Sequence, residues 1–185
     1  GADIDSREAE WEQTPLIFAA SWNRLETVVT LLELGADPNL AAKSMDLQEM
    51  GRLDGEAQRR QQEVLKAFTN DGEWAATSAQ VQAAVVAGRG AYSAGAEVEE
   101  RRQSNRFQRE VRIKSKGGLT PLLHAARQGH VETIEALLES GARIDQVGGG
   151  DGTTPLLMAT INGQFDAAAV LLRHGANPNI GSSLN

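Results

Sequence analysis

The chain has 185 residues, of which 41% are hydrophobic but only 4% aromatic, so its core is built from Leu, Val, Ile and Ala. A net charge of −7 argues against a nucleic-acid-binding face, which needs clustered Lys and Arg to displace counterions. With no cysteine there is no disulfide, thiolate metal site or Cys nucleophile, and no apolar run of 18 residues is present to span a membrane.

Taken in chain order, the sequence opens on "GADID" at residues 1–5 and reaches "TPLIFAASWNRLETVVTLLELGADPN" at residues 14–39. Thr14 is a suitable N-cap and Pro15 a suitable first helical residue, because the N–H that proline lacks would be unpaired there. The spacing predicts a helix that stops at Asn23, a residue tolerant of left-handed backbone, and a second helix carrying Leu31 and Leu32 that stops at Gly35. The same order returns from Thr120-Pro121 to Gly141-Ala142 and again from Thr154-Pro155 to Gly175-Ala176, with 21 residues from Thr to Gly each time. The first helices of these copies end at Gly129 and Gly163, and the second helices carry Leu137-Leu138 and Leu171-Leu172. Small pairs (Ala19-Ala20, Ala125-Ala126, Ala159-Thr160) allow first helices to approach one another, and the Leu pairs fill the space between copies. No single pair of helices buries enough apolar area to stand alone, so stability must come from stacking.

The first two Thr-Pro pairs are 106 residues apart and the last two 34, so about 72 residues are inserted between roughly Leu40 and Lys114. They contain no Thr-Pro, and "GAEVE" at residues 95–99 lacks the helix that should precede a repeat end. The insertion is expected to be partly helical. "EAQRRQQEVLKAFT" sets Ala57, Val64, Leu65 and Phe68 near one helix face, and Thr77 with Gln80 forms a capping box ahead of Val81, Ala84 and Val85. "NDGEW", with Trp74, reads as a turn between them, "EVEERRQSNR" as a solvated stretch, and "FQREVRIK" as an extended return to the array. The flanking copies are expected to stack on each other as though residues 41–113 were absent.

The repeated unit resembles the ankyrin repeat, a unit of about 33 residues with a T-P-L-H-x-A-A opening and a G-A-D-x-N close. The resemblance implies an all-α solenoid of helix-turn-helix units with finger loops. Its repeats fall at residues 6–40, 114–147 and 148–185, with residues 1–5 the end of a preceding repeat and residues 41–113 a mainly helical insertion. The array is expected to continue beyond both ends, since the chain begins inside a closing motif at Gly1 and no polar capping helix follows Asn179. The family's opening His is replaced by Ile17, Leu123 and Leu157, which predicts stacking that leans on apolar packing. The long insertion resembles those of some bacterial ankyrin proteins, many of them exported, which implies a periplasmic or extracellular setting ahead of a cytoplasmic one.

What the resemblance implies about function is protein binding through finger tips and the exposed face of the first helices. Mapped onto this chain, those positions are Trp11 and Gln13 in the first finger with Ser21 and Trp22 on its helix, Leu119, Arg127 and Gln128 in the second copy, and Asp151, Thr153, Ile161 and Asn162 in the third. Trp11 and Trp22 are expected to anchor a partner protein or to lie under the insertion, Trp being a favoured interface anchor. The alternatives are a structural spacer in a larger assembly and a regulatory appendage of an enzyme.

No catalytic or cofactor site is expected. His130 sits at a helix turn and His174 before a helix-ending Gly, where a cation complements the helix dipole; His124 shares no ligand spacing with either. "GGGDG" and "AGRGAYSAG" lack the Gly-Lys-Ser/Thr and the preceding strand of a phosphate loop, so both read as flexible loops. The paired carboxylates fall on polar helix faces or finger loops.

Overall fold

The computed structural model describes residues 3–68, 76–93 and 115–182. It divides into two compact units, Gly1–Asp46 with Val111–Asn185, and Leu47–Glu110. The first unit holds three helix pairs: α1 (Pro15–Ser21) with α2 (Leu25–Glu33), α5 (Pro121–Gln128) with α6 (Val131–Glu139), and α7 (Pro155–Ile161) with α8 (Phe165–Arg173). Each first helix starts as its sequence dictates. The hydroxyls of Thr14, Thr120 and Thr154 accept from the N–H groups of Ile17, Leu123 and Leu157 at 3.3, 3.2 and 3.2 Å. Each also stops as expected. Asn23, Gly129 and Gly163 take left-handed backbone (φ 52, 78 and 73°), and the following N–H groups reach back to Ala19, Ala125 and Ala159.

First helices pack in the order α1, α5, α7 and second helices in the order α2, α6, α8. The repeats on either side of the insertion therefore stack directly on each other. Leu16, Val28, Leu122, Ile134, Leu137, Val170 and Leu171 fill the core together with the small side chains of Ala20, Ala125, Ala126 and Ala159.

Hydrogen bonds between repeats come from a source the sequence reading missed. The last residue of each Gly-Ala motif accepts from the backbone of the next motif. Asp5 takes the N–H of Asp37 at 3.2 Å, Asn39 that of Arg143 at 2.8 Å, and Asp145 that of Asn177 at 3.0 Å. Asn39 also donates to the Gly141 carbonyl at 3.2 Å. A fully buried Thr133 hydroxyl donates to Asn23 Oδ1 at 2.9 Å. Stacking thus rests on apolar packing, toward which the loss of the family's His pointed, and on a polar ladder together.

The fingers form a second ladder. Lys43 N–H donates to the Trp11 carbonyl at 2.7 Å, Gly118 N–H to the Lys43 carbonyl at 3.0 Å, and Gly149 N–H to the Gly118 carbonyl at 3.3 Å. Next to it β1 (Ser44–Asp46) pairs antiparallel with β2 (Ser115–Gly117), Asp46 opposite Ser115. This two-stranded stem is a short addition to a mostly helical chain, and the all-α solenoid expected from the sequence holds; "FQREVRIK" lies outside the described residues. Because Asp46 and Ser115 face each other, a two-residue Asn-Gly turn can join them. Deleting residues 47–114 with that turn should leave the thermal midpoint of the repeats unchanged or higher, since a shorter connection costs less closure entropy. A lowered midpoint in circular-dichroism melts would show that the repeats depend on the insertion.

The second unit is a helical hairpin of α3 (Leu47–Ala67) and α4 (Ser78–Ser93). Helix α3 begins nine residues before "EAQRR"; Gly51 and Gly55 weaken the helical signal there, while Leu47, Met50 and Leu53 extend its apolar spacing. The expected capping box forms, with Gln80 Oε1 accepting from Thr77 N–H at 2.9 Å and Thr77 Oγ1 from Gln80 N–H at 3.4 Å. Val81 is not on the packed face; Ala84 and Ala91 are buried instead, and Gly88 lies between them. A Cβ on Gly88 would come within 2.6 Å of Gln61 Nε2 and 3.1 Å of the Ala57 carbonyl. "AGRGAYS" is thus helix and not the flexible loop expected; Ala94 and Gly95, with "NDGEW", "GAEVE" and "EVEERRQSNR", lie outside the described residues.

Candidate partner-binding face

Aligned on Thr-Pro, positions four, seven and eight residues after the Thr share one helix face. Each helix contributes one rung: Phe18, Ser21 and Trp22 from α1, His124, Arg127 and Gln128 from α5, and Met158, Ile161 and Asn162 from α7. A groove of about 490 Å³ opens over the first two repeats, lined by Gln13, Phe18, Ser21, Trp22, His124, Arg127, Gln128 and His130. It brings together five of the sequence-predicted positions. Phe18, His124 and His130 were missed, although helical spacing from Thr14 and Thr120 puts Phe18 and His124 on the same face as Ser21 and Arg127.

Trp22 is 72% exposed and Trp11 42%. Trp11 stands in the first finger, whose turn is organised by Glu8. That carboxylate accepts from the N–H groups of Glu10, Trp11 and Gln13 at 2.7, 2.5 and 3.3 Å, and these bonds, Glu10's foremost, hold its pKa below the ordinary value. Ser21 donates to the Phe18 carbonyl at 2.9 Å. Ile161 and Asn162 are exposed on α7, and Asn162 donates to the Met158 carbonyl at 2.8 Å.

Three predicted positions serve the framework instead. Thr153 is 2% exposed, and its hydroxyl and N–H are both held by Asp151, so neither residue presents the free finger tip expected. Leu119 is half-buried away from the groove, its carbonyl accepting from Ala42 N–H at 3.0 Å.

The groove's charge is set by one contact. Arg127 Nη2 lies 3.4 Å from His124 Nδ1, and because a guanidinium only donates, that nitrogen accepts and the ring proton sits on Nε2. Burial, with Arg127 second, pushes His124 down to about 4, so the imidazole is neutral at pH 7. Among the described residues Arg127 makes no ion pair, and no carboxylate lines the groove. Nor do three or more His, Asp or Glu gather as for a metal ion, and no helix is long and apolar enough to cross a membrane, again among the described residues.

Stacked helix pairs with laddered fingers define a helical repeat solenoid presenting an open inner face. Residues 11–43 match the family model for the ankyrin repeat, and residues 98–182 that for ankyrin repeats in three copies. The chain belongs to the ankyrin-repeat family. No curated protein matches it. Among solved structures, it is similar to the human ASB11 ankyrin repeat domain, with 21% identity and a TM-score of 0.47, over 91% of this chain and 43% of that one. Ankyrin repeats are in general protein–protein interaction modules, typically non-enzymatic.

Proposed function

We propose that this chain is a protein-recognition module that holds a partner protein across the inner face of α1, α5 and α7 and the first finger. Residues 6–40, 114–147 and 148–185 are its repeats, residues 1–5 the end of another, and residues 41–113 a partly helical insertion. The observation that carries the reading is the groove beside an exposed Trp22. An indole left in water there has no folding role that offsets its exposure, whereas a central Trp is a frequent hot spot of interfaces. Trp11, Gln13, Ser21, Arg127, Gln128, Ile161 and Asn162 complete the face. Trp22→Ala should weaken partner binding by about 2 kcal/mol or more with an unchanged melt. Unaltered affinity, or a lowered melt, would remove Trp22 from the interface.

A second reading, a spacer within a larger assembly, is favoured by a different surface. The outward side of α7 and α8 carries a groove of about 290 Å³ lined by Leu156, Leu157, Leu172, Pro178 and Ile180 among others. Concentration-dependent self-association in sedimentation, abolished by Leu172→Glu, is the result that reading requires.

A further inference from the structure

The three rungs of the inner face differ in chemistry along the array. The first is aromatic, with Phe18 and Trp22 both exposed; the second is cationic, with Arg127 held against His124; the third is aliphatic, with Met158 half-buried and Ile161 exposed. Among the described residues that line the groove, Arg127 is the one guanidinium, and it sits midway between two apolar ends. Its one described polar contact is a neutral imidazole, which leaves its remaining N–H groups unclaimed by any described carboxylate. A chain with a net charge of −7 repels acidic ligands from most of its surface, so a lone cation between apolar rungs selects where an acidic group can settle.

We infer, building on the recognition face assigned above, that the occupant is an extended peptide segment with one carboxylate flanked on both sides by apolar side chains. Adjacent packed helices lie about 8–10 Å apart, and an extended chain advances about 3.3 Å per residue, so the anchors fall about three residues apart. The pattern is apolar-x-x-Asp/Glu-x-x-apolar. The carboxylate takes a two-pronged bond from Arg127, and the apolar residues cover Trp22 with Phe18 at one end and Ile161 with Met158 at the other. The primary amides of Gln13 and Gln128 each carry a donor and an acceptor, the complement of a peptide backbone. A single guanidinium suits a carboxylate; a phosphate recognised by this chemistry calls for a cluster of cations.

The test pans a phage-displayed library of random nonapeptides on the full chain, then measures the nonapeptide GLSAEASLG and its Glu-to-Lys counterpart, fluorescein-labelled, by anisotropy. Enriched sequences should carry the acidic residue with apolar residues three positions to either side. Arg127→Glu and Arg127→Gln should each weaken the acidic peptide about tenfold, and Arg127→Glu should reverse the preference between the two peptides. Circular dichroism on both variants separates lost contact from lost fold. Enrichment of purely apolar or phosphomimetic-clustered sequences that depend on Trp22 but not Arg127 overturns the carboxylate assignment and leaves the recognition face standing. No enrichment, or binding indifferent to both residues, overturns both.

Discussion

Leu137→Ala is expected to lower the stability of the repeat unit by about 3–5 kcal/mol, the upper part of the range for a Leu truncated inside a packed core. The side chain is fully buried in α6, the middle second helix, with α2 packed on one side and α8 on the other. Lost transfer free energy accounts for part of the effect. The rest comes from a cavity that two flanking helices, each held at its C-terminal end by backbone bonds of its Gly-Ala motif and by a ladder bond, cannot close. Leu172→Ala is the internal control: it removes the same atoms from a position one residue on in the next repeat, but Leu172 is 49% exposed. It should cost under about 1 kcal/mol, since little apolar area is returned to water. Because each repeat contacts only its neighbours, damage in the middle unit uncouples both outer ones, and the urea transition of Leu137→Ala should broaden as well as shift. Equal losses in the two variants would show that burial in the central stack is not what holds the array together.

How much of this was readable from sequence depends on whether a signal is local. The caps were legible because Thr-Pro and the glycines act on their own helix through backbone geometry alone. So was the Thr77–Gln80 capping box, which spans three residues. The ladder of Asp5, Asn39 and Asp145 was not, because its partners lie in the next motif, 32 residues away in two cases and 104 where the insertion intervenes. The stem at Ser44 and Ser115 escaped for the same reason: three-residue strands carry almost no periodicity, and their pairing is set by the fingers on either side. Helix α4 misled in another way. Its glycines weaken a helix when read alone, yet Gly88 is what lets the two helices of the hairpin meet.

The proposed binding face shows the same division. Trp22, Arg127 and Ile161 could be placed by counting from Thr-Pro. Thr153 could not be dismissed that way, since its burial depends on the Asp151 carboxylate folding back within the finger. Nor could the environment of His124 be seen, because what desolvates it is the packing of neighbouring helices. Counting puts the ring on the face; only the fold keeps it neutral into mildly acidic solution.

That neutrality has a pH signature. His124 titrates near 4 in the folded protein against an ordinary value of 6.5, with burial the main cause and the adjacent Arg127 charge the second. A depressed histidine pKa means that the unfolded chain takes up the proton first as pH falls. Stability is therefore fully present above about pH 6.5 and is lost progressively as pH drops toward 4, by about 3 kcal/mol in all and about 2 kcal/mol between pH 7 and pH 5. His124→Gln keeps an acceptor for Arg127 but cannot be protonated, so urea midpoints at pH 7 and pH 5 should converge in that variant while those of the parent separate. Acidic pH should also weaken the acidic peptide: a protonated ring cannot accept from the guanidinium, and Arg127 loses the contact that aims it into the groove. A parent chain and His124→Gln variant that lose stability alike between pH 7 and pH 5 would show that the imidazole is not the group being desolvated.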